Sequence, residues 1–141
     1  MIILDTNVLS ALMQKNPVPV VVEWLDQQPS ESVWITNITL FETRLGLALL
    51  PNGRRRQALE TAFAQLLAED LEERVLDFDR SAAEAAAGLA AERQRNGLTV
   101  DMRDTQIAGI VIARRAKLAT RNVKHFADLT AEVVNPWQAK R

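Results

Sequence analysis

Three acidic residues in this chain stand where carboxylates are costly unless they have work to do. Asp5 ends the aliphatic run of MIILDTNVLSALM and is followed at once by Thr6 and Asn7. Glu42 lies in ITLFETRLG, where Ile38, Leu45 and Leu49 at i−4, i+3 and i+7 put it on or beside an apolar helix face, with Gly46 one turn on. Asp104 lies in TVDMRDTQIAGIVIA, at the start of an apolar helix. An ionised carboxylate beside apolar surface needs a partner. Converging carboxylates also repel, and each has its pKa raised by the others. A divalent cation removes both penalties. Magnesium takes one or two carboxylates directly and keeps several waters, which leaves places for phosphate oxygens. The chemistry this points to is metal-assisted hydrolysis of a phosphodiester, in which the ion stabilises developing charge and activates water.

Each acid also has a plainer reading. Asp5 could cap the next helix, although Thr6 or Asn7 could do so equally well. Glu42 could be a border residue reaching solvent or pairing with Arg44. Asp101 and Asp104 are spaced like the two members of a capping box, and both suit a helix N-terminus. The conjunction of three acids from separate parts of the chain favours a shared cleft.

Composition narrows the metal. The chain has 141 residues, no cysteine and one histidine, so a disulfide framework, a thiolate site and a His-rich zinc site are all excluded. Any ion must be held mainly by oxygen, which suits magnesium or manganese. Apolar residues are 48% and charged residues 25%, ordinary for a globular protein with a real core. We read residues 1–141 as a single domain. Asp5 interrupts the N-terminal apolar run too early for a signal peptide, and no stretch reaches the ~18 apolar residues of a membrane span. A soluble, cytoplasmic protein with no membrane contact is expected. Net charge is −1, yet Thr105 to Phe126 contains no acid and carries Arg114, Arg115, Lys117, Arg121 and Lys124. Such segregation can build a local field on a near-neutral protein.

The elements that must position these residues follow from periodicity and caps. Strands are predicted at Ile2–Leu4, Val33–Ile35, Val75–Leu76, Lys117–Ala119 and Glu132–Val134. Helices are predicted over Thr6–Gln14, Val20–Gln27, Ile38–Leu50 (capped by Thr36 or Asn37), Arg54–Glu69, an alanine-rich stretch capped by Asp79 or Ser81 and reaching Arg95, and a helix from Thr99 or Asp101 to Arg115. Asn122–Phe126 reads as a helical turn, and Asn135-Pro136-Trp137 closes the chain with Trp137 packed on it. Short apolar strands alternating with helices predict an α/β domain, three-layered α/β/α, with a mostly parallel sheet of about five strands. In such folds ligands collect outside the carboxyl ends of the strands. All three acids fall after or near such ends.

ILDTNVLSALM, ITLFETRLGLALL, DTQIAGIVIARR and LATRNVKHF, in this order and with the closing NPW, resemble the PIN-domain ribonucleases. The nearest branch is that of the VapC/FitB-like toxins of bacterial toxin–antitoxin pairs. The resemblance spans essentially the whole chain. It implies a magnesium- or manganese-dependent endoribonuclease with metal-site roles for Asp5, Glu42 and Asp104. Asp104 rather than Asp101 matches the family's aspartate because it directly precedes Thr105-Gln106-Ile107-Ala108. Asp101 is left as a supporting acid. Many relatives carry a further acid in the segment matching TRNVKHF. Here the candidate positions are Asn122 and His125, either of which can bind a water of the ion's shell but neither of which adds an anion. That favours one ion over two. Thr6 and Asn7 are expected to orient Asp5, and Arg121, Lys124 and Arg103 to contact phosphates. The resemblance further implies a homodimer, a small VapB/FitA-like antitoxin, and a toxin–antitoxin assembly on operator DNA through the antitoxin. Val21, Trp24, Leu47 and Leu50 could serve such interfaces or the core, with the core favoured.

The missing fourth acid also motivates an alternative: a nucleic-acid-binding regulatory module with a weak or dead site. Phosphoryl transfer through Asp5 is disfavoured, because a haloacid-dehalogenase-type site needs an acid where Asn7 stands and a receiver-type site needs paired acids near the first strand.

Overall fold

Ile2, Ile3 and Leu4 cannot all face one side of a strand, because successive side chains alternate. The fold uses both sides. A computed structural model describes residues 1–139. It places β1 (Ile2–Leu4) at the centre of a sheet with β2 (Val33–Thr36), β3 (Val75–Leu76), β4 (Lys117–Ala119) and β5 (Val133–Val134) in the order β3-β2-β1-β4-β5. Every neighbouring pair is parallel. Ile2 and Leu4 enter a core with α1 (Thr6–Met13), α2 (Pro19–Asp26), α3 (Asn37–Ala48) and α4 (Arg54–Gln65) on one face. Ile3 enters a second core with α5 (Arg80–Arg95) and α6 (Met102–Arg114) on the other. The expected three-layer α/β/α arrangement is therefore present, and the apolar strands are apolar throughout because both faces are covered.

Caps set the helix starts. Asp5 accepts from Thr6 N–H, Thr36 from Thr39 N–H, Asp79 from Ala82 N–H and Asp101 from Asp104 N–H. These satisfy donors that the first turn leaves orphaned. The alternatives Ser81 and Thr99 are not the caps. Helix α3 stops at Ala48 rather than Leu50, and α4 passes at Leu66 into a π-helical turn ending at Asp70. Trp137 packs on the first core, as expected.

Helices α5 and α6 make the closest crossing. A Cβ on Gly109 would stand 2.5 Å from the Ala82 carbonyl oxygen and 2.7 Å from the Ala86 Cβ, so only glycine permits this approach. Gly46, by contrast, faces open space.

Of the two roles open to the apolar residues of the second and third helices, the structure shows the favoured one, the core. Val21, Trp24 and Leu47 are buried in the first core and Leu50 packs against it, so they are structural. The apolar stripes of α2 and α3 point inward, as such stripes do in a layered fold. The large apolar side chains left exposed include Phe41, Leu49, Leu98 and Met102. The basic segment does not form one patch either. Arg114 pairs with Asp79 at 3.8 Å and Lys117 with Glu132 at 3.3 Å, Lys117 at the start of β4 and so away from the strand ends that gather the acids.

Candidate active site

The order of the sheet reverses between β1 and β4. The chain builds outward from β1 through β2 to β3, then returns to the other side of β1 with β4. The crevice beyond the carboxyl ends of such a strand pair is where α/β sheets bind ligands. Asp5 follows β1 there, and Thr120 follows β4. Asp5 N–H donates to the Ala119 carbonyl at 2.9 Å, so the two strand ends are locked together.

Asp5 is 3% exposed. Its Oδ1 accepts from Thr6 N–H at 2.8 Å, and its Oδ2 accepts from the Thr120 hydroxyl at 2.7 Å and the Asn7 amide at 3.3 Å. Burial pushes its carboxyl above the ordinary value of 3.8, against the bonds from Thr120 and Thr6, with Asp104 and Glu42 pushing the same way by charge. Asn7 Oδ1 in turn accepts from Arg121 N–H at 3.1 Å, and Thr120 Oγ1 accepts from Asn122 N–H at 3.0 Å. Asn7 thus joins the two loops, and Asn122 takes part through its backbone.

Glu42 sits on α3 with Oε1 accepting from the Thr6 hydroxyl at 2.9 Å. Thr6 therefore bridges the site: its N–H holds Asp5 and its hydroxyl holds Glu42. The Arg44 pairing considered for Glu42 is not made, since Arg44 lies over the Phe63 ring. Arg103 stands 3.6 Å from Glu42 Oε2 instead, and its guanidinium lies over the Phe41 ring. Asp104, one residue along α6, is held by His125, whose Nδ1 is 3.0 Å from Asp104 Oδ2. Asp101 caps the same helix through Asp104 N–H at 2.9 Å. Arg121 lies over the Trp137 ring at 5.0 Å, and Lys124 and His125 share the turn Val123–Phe126.

The three acids thus surround one mouth without closing on a point. Among the described residues, no three His, Asp or Glu side chains stand close enough to grip one ion between them. The donor set still suits a hard cation that keeps most of its waters: all-oxygen acids, one of them raised in pKa by its burial and, to a lesser degree, by the other two. Arg103 stands by Glu42 as a counter-charge, and the His125 ring is hydrogen-bonded to Asp104.

Two contributors were not foreseen. Thr120 looks like an ordinary loop residue; its signal is that it holds the place after β4 that Asp5 holds after β1. The second is Arg93, 4% exposed, on α5. It donates to both oxygens of Asp128 at 2.8 and 2.9 Å, to the Thr105 hydroxyl at 3.1 Å and to the His125 carbonyl at 3.0 Å. Asp128 holds the guanidinium protonated well into the alkaline range, and Arg93 holds Asp128 below the ordinary carboxylate value. The signal for Arg93 was its register: Ala82, Ala86, Leu89 and Arg93 form one buried stripe.

Comparison with known proteins fits this arrangement. The PIN domain family matches residues 2–131. The chain belongs to the PIN-domain family. It is 37% identical over 139 residues to plasmid stability protein StbB of Pseudomonas syringae pv. tomato, covering 99% of this chain and all of that one. It is 35% identical to VapC ribonuclease Y4jK of Sinorhizobium fredii (98% and 99% covered) and 34% identical to toxin FitB of Neisseria gonorrhoeae (97% and 99%). These place it in the VapC/FitB branch. Its fold superposes on a structure of FitAB bound to an IR36 DNA fragment with a TM-score of 0.89 and 33% identity, covering 100% of this chain and 99% of that one.

Proposed function

We propose that this PIN-domain chain is a divalent-cation-dependent endoribonuclease and the toxin half of a toxin–antitoxin pair. The observation that carries the reading is Asp5: a buried carboxylate at the reversal of strand order, raised in pKa, with Glu42 and Asp104 around the same mouth. A carboxylate so placed costs stability unless it binds a cation.

Magnesium or manganese would be held by Asp5 and Asp104, directly or through water, with Glu42 beside them. When bound, such an ion neutralises the carboxylates, lowers the pKa of water and stabilises charge developing on a phosphodiester. The protein's own part is orientation and proton transfer. Thr6 fixes Asp5 through its N–H and Glu42 Oε1 through its hydroxyl, and Glu42 Oε2, with Arg103 at 3.6 Å, takes a proton from the attacking water. Asn7 and Thr120 fix Asp5 Oδ2. Asp101 fixes the first turn that carries Asp104. Arg103, Arg121 and Lys124 contact the backbone phosphates, which makes binding salt-dependent and nearly sequence-blind at those contacts. Single-stranded or looped RNA is the substrate, because its bases can be splayed into a cleft. With Asn122 and His125 in place of a further acid, the site suits one ion rather than two.

The relatives named a VapC ribonuclease and toxin FitB, and the FitAB–DNA structure, support the wider setting. The chain acts with a VapB/FitA-like antitoxin, as a homodimer within an assembly that reaches operator DNA through the antitoxin. No described helix is long and apolar enough to cross a membrane.

A second reading rests on Arg103 and His125, which already face Glu42 and Asp104. If they serve in place of an ion, the chain binds nucleic acid without cutting it. End-labelled tRNA and a mixed single-stranded RNA pool, incubated with magnesium, manganese or excess EDTA, separate the two. Discrete cleavage that requires metal and is lost in Asp5→Asn supports the nuclease. RNA binding with no cleavage under any metal supports the regulatory module, and cleavage indifferent to EDTA and to Asp5 sinks the mechanism.

A further inference from the structure

Beside Asp104 a cleft of about 380 Å³ opens between the segment leading into α6 and the turn that carries His125. Its wall includes Leu98, Thr99, Asp101, Lys124, His125 and Asp128, with Arg93 beneath. The volume is at the small end of the range for sites that enclose a small organic group. It shares Asp101, Asp104, Lys124 and His125 with the acidic site, and the proposed chemistry there leaves its volume unfilled.

Its chemistry selects its occupant. Three carboxylates border it, those of Asp101, Asp104 and Asp128. The facing cations are Lys124 and Arg93, and Arg93 is already engaged by Asp128, Thr105 and the His125 carbonyl. Arg93 takes up both Asp128 oxygens and His125 Nδ1 holds Asp104 Oδ2, so the acceptors left to a ligand are on Asp101 and Asp104, and a phosphate would meet like charge. Asp101 uses Oδ1 to cap Asp104 N–H, which leaves Oδ2 for a ligand. Besides the Thr99 hydroxyl, the rest of the wall is apolar or planar: Leu98 is 51% exposed and the His125 side chain 58% exposed. Exposed flat and apolar groups next to acceptors suit a planar ring that carries N–H donors. Unpaired bases are recognised in this way, stacked on aromatic side chains and hydrogen-bonded on their Watson–Crick edges.

We infer that this cleft is a subsite for one unpaired nucleobase bearing an exocyclic amino group (guanine, cytosine or adenine rather than uracil) next to the phosphate at the acidic site. The inference rests on the nuclease reading for its role but not for its binding. His125 and Leu98 stack the base. Asp101 Oδ2 accepts from the amino group, and Lys124 remains outside for the adjoining phosphate. Uracil presents carbonyl oxygens where the amino group would be and meets carboxylate oxygens.

The chain contains one histidine, so the C2–H resonance of His125, in the cleft wall and against Asp104, is assigned without ambiguity in a proton NMR spectrum. Cytidine, adenosine, guanosine and uridine are titrated into the whole protein at fixed pH. The amino-bearing nucleosides are expected to shift that resonance upfield and saturably, with affinity about tenfold above uridine's, as one good base contact gives. In Asp101→Asn the side chain still caps α6, since asparagine is as good a cap as aspartate. Its new N–H₂ donates to carbonyl oxygens, so the preference should collapse or turn toward uridine. No saturable shift, an equal shift for all four nucleosides, or an unchanged preference in Asp101→Asn overturns the subsite. The two readings fail separately. Cleavage without nucleoside discrimination sinks the subsite and leaves the nuclease, whereas discrimination without metal-dependent cleavage sinks the nuclease and leaves the subsite.

Discussion

Arg93→Met should unfold this protein about 10 °C earlier and disable its site, although Arg93 faces no substrate in the proposed reaction. The guanidinium is buried and donates to Asp128, Thr105 and His125. Methionine keeps an unbranched stem of similar bulk, so the loss is polar rather than a cavity. Removing one partner of a buried ion pair costs about 3–5 kcal/mol, because the other charge is left without compensation. Here Asp128 keeps 33% of its side-chain surface in water and the Thr105 hydroxyl keeps its bond to the Asp101 carbonyl. Both recover part of the loss, so the low end applies, about 3 kcal/mol. For a chain of this size that is a drop of roughly 6–12 °C in Tm.

The dependence on pH tests the cause. Asp128 is held below 3.8 in the folded protein. A lowered carboxyl contributes stability that is fully present above the unfolded value and disappears as pH falls through the folded one. The gap between wild type and Arg93→Met, read from urea unfolding followed by circular dichroism, should therefore be full at pH 7 and narrow clearly below pH 3.8. Arg93→Met/Asp128→Leu, which removes the stranded charge too, should recover much of the loss. A gap under 1 kcal/mol at pH 7, or one that persists unchanged in acid, would refute the argument that this pair holds α5, α6 and the His125 turn together.

Other substitutions test separate statements. Gly109→Ala should destabilise by about 1–3 kcal/mol, because the new Cβ meets the Ala82 carbonyl and Ala86 across the α5–α6 crossing; thermal unfolding checks this. Gly46→Ala should do the reverse, by up to about 1 kcal/mol, since the position is helical and open. Thr43→Val should be neutral or mildly stabilising in the same assay, as Thr43 Oγ1 is buried with no hydrogen-bond partner. Asp5→Asn should abolish metal-dependent cleavage while changing Tm little at pH 7, because it removes the ionised group that burial penalises and keeps an acceptor for Thr6 N–H but loses the oxygen that accepts from Thr120 and Asn7.

The parts of this architecture that were legible in advance are the ones encoded locally. Ile2–Leu4 had to be a doubly covered strand, and Asp79 and Asp101 had the residue type and spacing of caps. The order of strands and helices then put Asp5, Glu42 and Asp104 at one end of a parallel sheet without any knowledge of contacts. What stayed hidden depends on pairs far apart in sequence. Thr120 meets Asp5 across 115 residues and Arg93 meets Asp128 across 35, and no local period records either meeting. Arg93 was further disguised by its place in the last turn of α5, where a basic residue is expected for the sake of the helix dipole. Trp24 and Leu47 were legible as core from their helical spacing, and the assembled first core closes the interface role that their short helices had left open.

The two shifted carboxyls divide the protein's electrostatics by purpose. Asp128 is lowered because Arg93 answers it, and its ionisation holds the fold together. Asp5 is raised because burial dominates and its nearest acidic neighbours add repulsion, so its ionisation works against the fold. The signs follow from linkage. Asp128 withdraws stability as pH falls below 3.8, and Asp5 withdraws it as pH rises from 3.8 through its raised value. An acid of the first kind needs no ligand. One of the second kind is relieved by a cation, and a ligand that binds the folded form alone stabilises it in proportion to the logarithm of its concentration over Kd. Magnesium or manganese should therefore raise the Tm of the wild type near neutral pH and leave that of Asp5→Asn almost unmoved. A rise of equal size in both would place the ion elsewhere on the surface and remove Asp5 from its site.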